Sequence, residues 1–292
     1  MKPFPYFLVI ISSFLHAYWN FLLKRASGTQ LFIGLSKGAE ILLFALPFYL
    51  VTRGQFHHLL AHWHLFTIGA LLSLAYYVFL GRSYKAGDLS VVYPVSRAGA
   101  LVFLPLLAYC VMKERVSVAG VVALGLIIVG CFLIQLRAFD RQEWAGLVKS
   151  LCCQSTMFAV LAAFAVACYS LWDKHSVLQL APFLYFYSYT VIMGICYALM
   201  IFAREKAPDI VREWRTNWLS ILLVGAFNTI AYLMVLFSLQ EGKATYVIAL
   251  RQLSIAVGAF LGWRFLKEKA GRPKQVGILT IIAGCLLVSI AK

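Results

Sequence analysis

Ten stretches of roughly 20 apolar residues, parted by short polar breaks, constrain this chain more than any other feature. The hydrocarbon core of a bilayer is about 30 Å thick and a helix rises about 1.5 Å per residue, so each stretch is long enough to cross it. The spans fall near 5–23, 31–51, 63–81, 89–112 and 116–136, then near 151–172, 180–203, 217–239, 244–266 and 275–291. With 62% hydrophobic and 13% charged residues, the 292-residue chain has too little polar surface to clothe a soluble globule. No alternating ten-residue pattern points to a membrane β-barrel. The fold class expected is therefore all-α integral membrane. The opening apolar run lacks a small-x-small cleavage site and reads as a retained first span.

The spans divide five and five around the polar stretch Arg137–Trp144, and the two halves resemble each other. Laying Arg97–Cys131 over Arg251–Cys285 without a gap gives nine identities in 35 pairs. They include Arg97/Arg251, Lys113-Glu114/Lys267-Glu268 and Gly130-Cys131/Gly284-Cys285, and Lys24 matches Lys174 near the end of each half's first span. An odd number of spans per copy inserts the second copy upside down. Ten helices as two inverted five-helix repeats, 1–136 and 151–292 joined by 137–150, are the expected organisation, with a substrate site near the midplane between them.

The layout resembles the drug/metabolite transporter superfamily, EamA type, over essentially the whole chain. The resemblance rests on Ala86 to Pro94 with Arg97, Lys113-Glu114-Arg115, Gly120 to Gly130, Tyr246 to Arg251, Lys267-Glu268-Lys269, Gly277 to Gly284, and His16 to Asn20 with Lys24. The glycine usual before the glutamate is replaced by Lys113 and Lys267. The resemblance implies a secondary transporter, commonly an exporter of small metabolites or drugs, in the cell membrane, with a bacterial inner membrane expected. Some relatives with this pattern are associated with phosphonate use.

Lysine and arginine exceed aspartate and glutamate by 26 to 11. In a membrane protein that excess marks cytoplasmic loops and anionic headgroups rather than nucleic acid, so no nucleic-acid partner is expected. The loops on the side of the termini carry seven cations and those on the other side 16, a count that places both termini outside the cytoplasm. Ten-span relatives have cytoplasmic termini, and the two readings stand against each other.

Inside the spans the charges are few: Lys37, Arg97, Arg251 and, as the only deep carboxylate, Glu40. A charge at a helix centre costs roughly 2.5–3.5 kcal/mol on insertion scales and therefore faces a cavity or a partner. Arg97 and Arg251 each lie about 12 Å into a span, and guanidinium forks suit carboxylate or phosphate. They read as an anion-binding pair, or else as arginines that snorkel or bind backbone carbonyls. Lys37 and Glu40, three apart, share a helix face and form either an internal ion pair or a proton-carrying site at Glu40. The sum of +2 favours an anionic or zwitterionic substrate.

His16, Trp19 and Asn20 form, with Ser12 and Ser13, a polar stripe that either lines a cavity or bonds neighbouring helices. Tyr76, Tyr93, Asn228, Tyr232 and Gln252 are further lining candidates. Pro94 and Pro105 interrupt the fourth span and Pro182 the seventh. Gly34/Gly38 and Gly258/Gly262 would allow close helix contact. The seven cysteines form no C-x-x-C pair and read as small buried residues. Glu114 and Glu268 lie in basic turns, where contact between the halves is the default reading.

His58 and His62 are spaced to bind zinc if helical, but no carboxylate or thiolate joins them, and no metal or cofactor is expected. Nothing resembles a phosphate-binding G-x-x-x-x-G-K-[ST], so drive comes from protons, an exchanged solute or the substrate's own gradient. A membrane enzyme would need a catalytic set such as H-E-x-x-H, and none is present. A channel would carry a line of like polar groups. A flippase of a phosphate-bearing lipid carrier remains an alternative for an arginine-lined groove. The expected partners are a small-molecule substrate and the bilayer, with the chain a monomer or homodimer.

Overall fold

The computed structural model describes residues 4–26, 29–54, 56–86, 89–150, 153–265, 267 and 271–291. Every regular element among them is an α-helix. The first half holds α1 (Phe4–Arg25), α2 (Gln30–Thr52), α3 (Phe56–Ala61), α4 (Trp63–Ala86), α5 (Leu89–Ala98), α6 (Ala100–Met112) and α7 (Val118–Leu133). After the linking α8 (Arg141–Ser150) come α9 (Gln154–Val177), α10 (Pro182–Arg204), α11 (Ala207–Glu241), α12 (Ala244–Arg251), α13 (Leu253–Phe265) and α14 (Arg272–Ile290). Among the described residues nine stretches are long and apolar enough to cross a membrane, two of them Val91–Met112 and Ala244–Phe265, which join α5 to α6 and α12 to α13. The apolar α7 is the shorter tenth, with 16 residues or about 24 Å. This is an all-α integral membrane fold.

Local chemistry sets the helix ends. Thr29 accepts a hydrogen bond from the Phe32 amide to start α2, and Ser117 does the same for Gly120 at α7. Prolines occupy the first turns of α10, α11 and α14, where a missing N–H costs nothing. Pro182 therefore opens α10 rather than interrupting it. At the end of α6, Lys113 turns left-handed (φ 56°) and the Glu114 amide reaches back to Ala108 O at 3.2 Å. Lys267 adopts the same φ of 56°. Lysine holds a conformation that glycine adopts freely, at a cost of about 1 kcal/mol.

The packing partners recur when the halves are exchanged. With α1, α2, α4, α5–α6 and α7 matched in order to α9, α10, α11, α12–α13 and α14, α4 on α9 corresponds to α1 on α11, and α2 on α11 to α4 on α10. α6 on α9 corresponds likewise to α1 on α13, while α2 packs on α10 and α7 on α14. The correspondence extends to atoms. A Cβ on Gly130 would lie 2.8 Å from Gly277 O and 2.6 Å from Ile281 Cγ1. One on Gly284 would lie 2.9 Å from Ala123 O and 2.6 Å from Ile127 Cγ1, the positions matched in the ungapped alignment. These glycines bring α7 and α14 into backbone contact.

Apolar side chains turn both ways. Residues 244 to 250 of α12 are all buried, and the largest core cluster gathers around them from α6, α7, α9, α10, α11 and α14. Leu42, Leu46 and Leu50 on α2 and Val118, Val121 and Val122 on α7 are exposed at helical spacing, a pattern that suits acyl chains.

Four expectations are corrected. The sixth span does not stop at residue 172: α9 continues to Val177 and carries Asp173, whose partners are on α10 and α11, and Lys174, whose partners lie just beyond the ends of α6 and α11. The eighth starts at Ala207, and its first charged turns extend α11 to 35 residues, beyond the apolar core. Cys110 and Cys153 are exposed on outer faces rather than buried, whereas Cys131 and Cys285 are buried; Cys152 lies outside the described residues. Of the paired glycines, Gly34 meets a neighbour, Ile201, while Gly38 and Gly258 face open space.

Candidate functional site

α1, α2, α4, α5, α9, α10, α11 and α12 enclose a cavity of about 360 Å³. Its wall contains His16, Trp19, Asn20, Lys37, Glu40, Tyr76, Tyr93, Arg97, Asn228, Tyr232 and Arg251, eleven of the twelve candidate residues. The twelfth, Gln252, lines an adjoining cavity of about 330 Å³, as do Gly258 and Gly262. Six residues belong to both: His16, Asn20, Tyr93, Arg97, Tyr169 and Arg251. The two arginines thus stand where the cavities meet. The first cavity is within the size range of small-molecule sites.

Each arginine ends a short helix. Arg97 is in the last turn of α5, just before the one-residue break at Gly99. Arg251 closes α12, just before the break at Gln252. The interruption of the fourth span falls at Gly99, five residues after Pro94, which sits inside α5. Both breaks are mild: Gly99 N still bonds Val95 O at 2.9 Å, and Gln252 N tightens onto Ala249 O at 3.0 Å.

The guanidinium of Arg97 lies 5.7 Å from the centre of the Tyr93 ring, and that of Arg251 lies 5.0 Å from the Tyr232 ring. Such cation–π contacts are worth about 0.5–2 kcal/mol, and they orient the fork. No described carboxylate is within ion-pairing distance of either arginine. Both forks are half-buried beside the cavities, with charge to spare.

Lys37 and Glu40 are an ion pair. Lys37 Nζ donates to Glu40 Oε2 at 2.8 Å, and Asn228 Nδ2 donates from α11 at 3.2 and 3.3 Å. Gly225 permits that approach, because a Cβ there would lie 3.0 Å from the Glu40 amide and from Ser36 O. On α1, Trp19 Nε1 donates to His16 Nδ1 at 3.3 Å, and Asn20 Nδ2 donates to His16 O at 2.6 Å. Ser12 and Ser13 face helices instead, donating to Ala231 O at 2.7 Å and Val9 O at 2.8 Å. The polar stripe thus divides between helix bonding and cavity lining. Outside this region, the His58 and His62 rings lie 4.4 Å apart at a tilt of 35°, and the His62 ring nitrogen meets His58 O at 2.8 Å.

A model of the EamA-like transporter family matches residues 155–290, from the first turn of α9 to the end of α14. An uncharacterized protein of Methanocaldococcus jannaschii is 32% identical over 100 residues, 34% of this chain and 72% of that protein. The chain belongs to the EamA-like transporter family. It is a multi-pass membrane transporter, and the family's members are not enzymes. A crystal structure that aligns over 97% of this chain and 96% of its own, with a TM-score of 0.69 and 13% identity, has a similar fold.

In this EamA-like chain the loop side of the termini is closed. Lys174 at the end of α9 pairs with Glu114 after α6 and donates to Gly242 O at 2.7 Å. Glu114 accepts the Ala244 amide at 3.0 Å, where the N-terminus of α12 favours a negative charge. The Tyr246 hydroxyl accepts the Ser117 amide at 3.1 Å. Glu114 therefore does join the halves; Glu268, its counterpart, lies outside the described residues. Both cavities instead reach residues at the opposite helix ends, among them Leu23, Gln30 and Tyr84 in one and Lys24, Gln135 and Lys274 in the other.

The sequence reading missed Asp173. Its carboxylate is buried and accepts the hydroxyls of Tyr185 at 2.6 Å and Tyr232 at 2.5 Å, so Glu40 is not the only deep carboxylate. The site charge is then +1 rather than +2 when both acids are ionised. Tyr77, Tyr84, Tyr169, Tyr189 and Tyr197 also line the main cavity unforeseen, because an aromatic in an apolar span gives no sign of which way it faces.

Proposed function

We propose that this transporter moves a small organic anion or zwitterion by alternating access, with Arg97 and Arg251 holding its anionic group. The unneutralised pair of guanidinium forks at the junction of two cavities carries this reading. His16, Trp19, Asn20, Tyr76, Tyr93, Asn228, Tyr232 and Gln252 would supply the remaining contacts. Residues 1–136 and 151–292 act as inverted repeats in this scheme, which the exchange of packing partners supports. Arg97 and Arg251 end matching short helices of the two halves, so a rocking of one half on the other would expose them to each side in turn. This form opens away from the termini. We place the protein in a cell membrane, as an exporter.

Counterflow in proteoliposomes tests this directly, with a panel of phosphorylated, phosphonylated, carboxylated and cationic solutes. An anion or zwitterion is exchanged by the wild type, and Arg97→Gln or Arg251→Gln lowers its rate about tenfold or more. Exchange of a cation, with both variants unimpaired, contradicts the reading.

A further inference from the structure

We propose that Asp173 is a proton-binding site, placed behind the cavity wall and connected to the anion site through Tyr232. Two carboxylates are buried near the cavity, and they differ in the partners they have. Glu40 faces a lysine at 2.8 Å and an amide. Asp173 has only two hydroxyls, and no described lysine or arginine lies within ion-pairing distance. Hydroxyl partners suit either state of the acid: they donate to a carboxylate, and one can turn to accept from a carboxylic acid.

The surroundings of Asp173 can be given helix by helix. Its neighbour on α9, Lys174, is occupied by Glu114 and Gly242 O. Tyr169 is one turn earlier on α9; α10 contributes Tyr185 and Tyr189, α11 Tyr232, and α12 Arg251. At this level α4 offers a glycine: a Cβ on Gly69 would lie 2.2 Å from the Tyr185 hydroxyl. α5 and α6 add the apolar Ala98, Leu101, Leu104 and Ala108 to the core cluster that also holds Leu171 and Tyr185.

Tyr232 joins the two sites. Its hydroxyl binds Asp173 while its ring lies 5.0 Å from the Arg251 guanidinium and stacks on Phe186 at 5.1 Å. A proton added to Asp173 removes a negative charge that competes for Arg251. An anion brought to Arg251 in turn makes that proton easier to bind, by the same factor. This coupling rests on the anion reading above, whereas the proton site does not.

Infrared difference spectroscopy on the full chain in nanodiscs, as pH is lowered without any substrate, tests the site. The chain's 11 acidic side chains all give protonated C=O bands at low enough pH, so the assignment is by difference: one band of the wild type persists in Glu40→Gln and is absent from Asp173→Asn, which keeps the shape of the group. Tyr232→Phe keeps the band but moves it to higher wavenumber, because the acid loses a hydrogen-bond partner. This variant carries the test if Asp173→Asn does not fold. Arg251→Gln moves the pH at which the band appears. The proton site is overturned if Asp173→Asn removes no band from the wild-type spectrum, or if the band it removes also disappears in Glu40→Gln or stays fixed in Tyr232→Phe. An unmoved titration in Arg251→Gln breaks only the connection to the anion site. Because no solute is needed, a failure of the transport reading leaves this result standing.

Discussion

At the scale of single residues, the Lys37–Glu40 pair shows how a membrane helix holds two charges it could not otherwise bury. Glu40 is 2% exposed and Lys37 13%, and each compensates the other. Removing one partner leaves an uncompensated buried charge, at a cost of about 3–5 kcal/mol, whereas apolar replacement of both is close to neutral. Glu40→Gln is therefore expected to lower the thermal midpoint in detergent, and Lys37→Met with Glu40→Leu to recover most of it. Equal stability of the single variant and the wild type would contradict the pairing. The pair was legible in the sequence because its members stand three apart on one helix. Asp173 was not, because its partners lie 12 and 59 positions away and a hydropathy pattern breaks off at the first charge. One signal was present: the match of Lys174 to Lys24 put position 174 at the end of a span, with Asp173 inside it.

At the scale of elements, spacing and small residues decide how closely helices meet. The ten spans could be placed from apolar runs alone, since the bilayer sets their length. Their ends could not, because a helix such as α9 or α11 continues wherever its charges find water or a partner. Contact between helices was only partly visible. Gly130 and Gly284 stood out as a matched pair, but sequence alone gave Gly258 the same weight, although it faces open space. Gly130→Ala places a Cβ 2.8 Å from the backbone oxygen of Gly277, and a backbone atom cannot move aside alone. Overpacking of this kind costs about 1–3 kcal/mol. Gly125→Ala in the same helix meets nothing within 4 Å and should be neutral or mildly stabilising. Thermal unfolding of the two variants in one detergent checks the contrast, and equal destabilisation would contradict the α7–α14 contact.

At the scale of the whole molecule, the candidate residues are scattered over the sequence from position 16 to 252, yet they surround one pair of joined cavities. The sequence pointed to this convergence by the rarity of charge inside the spans. It could not reveal the closed side built from Lys174, Glu114 and Gly242, which needs three helix ends to meet. The central claim is that two arginines, one from each half, hold one anion. A double-mutant cycle on counterflow of the exchanged anion tests it most directly, comparing wild type, Arg97→Gln, Arg251→Gln and the double variant. If both forks hold the same group, each single variant loses nearly as much rate as the double. Independent, multiplicative losses, or a double variant as fast as the wild type, would contradict a shared site.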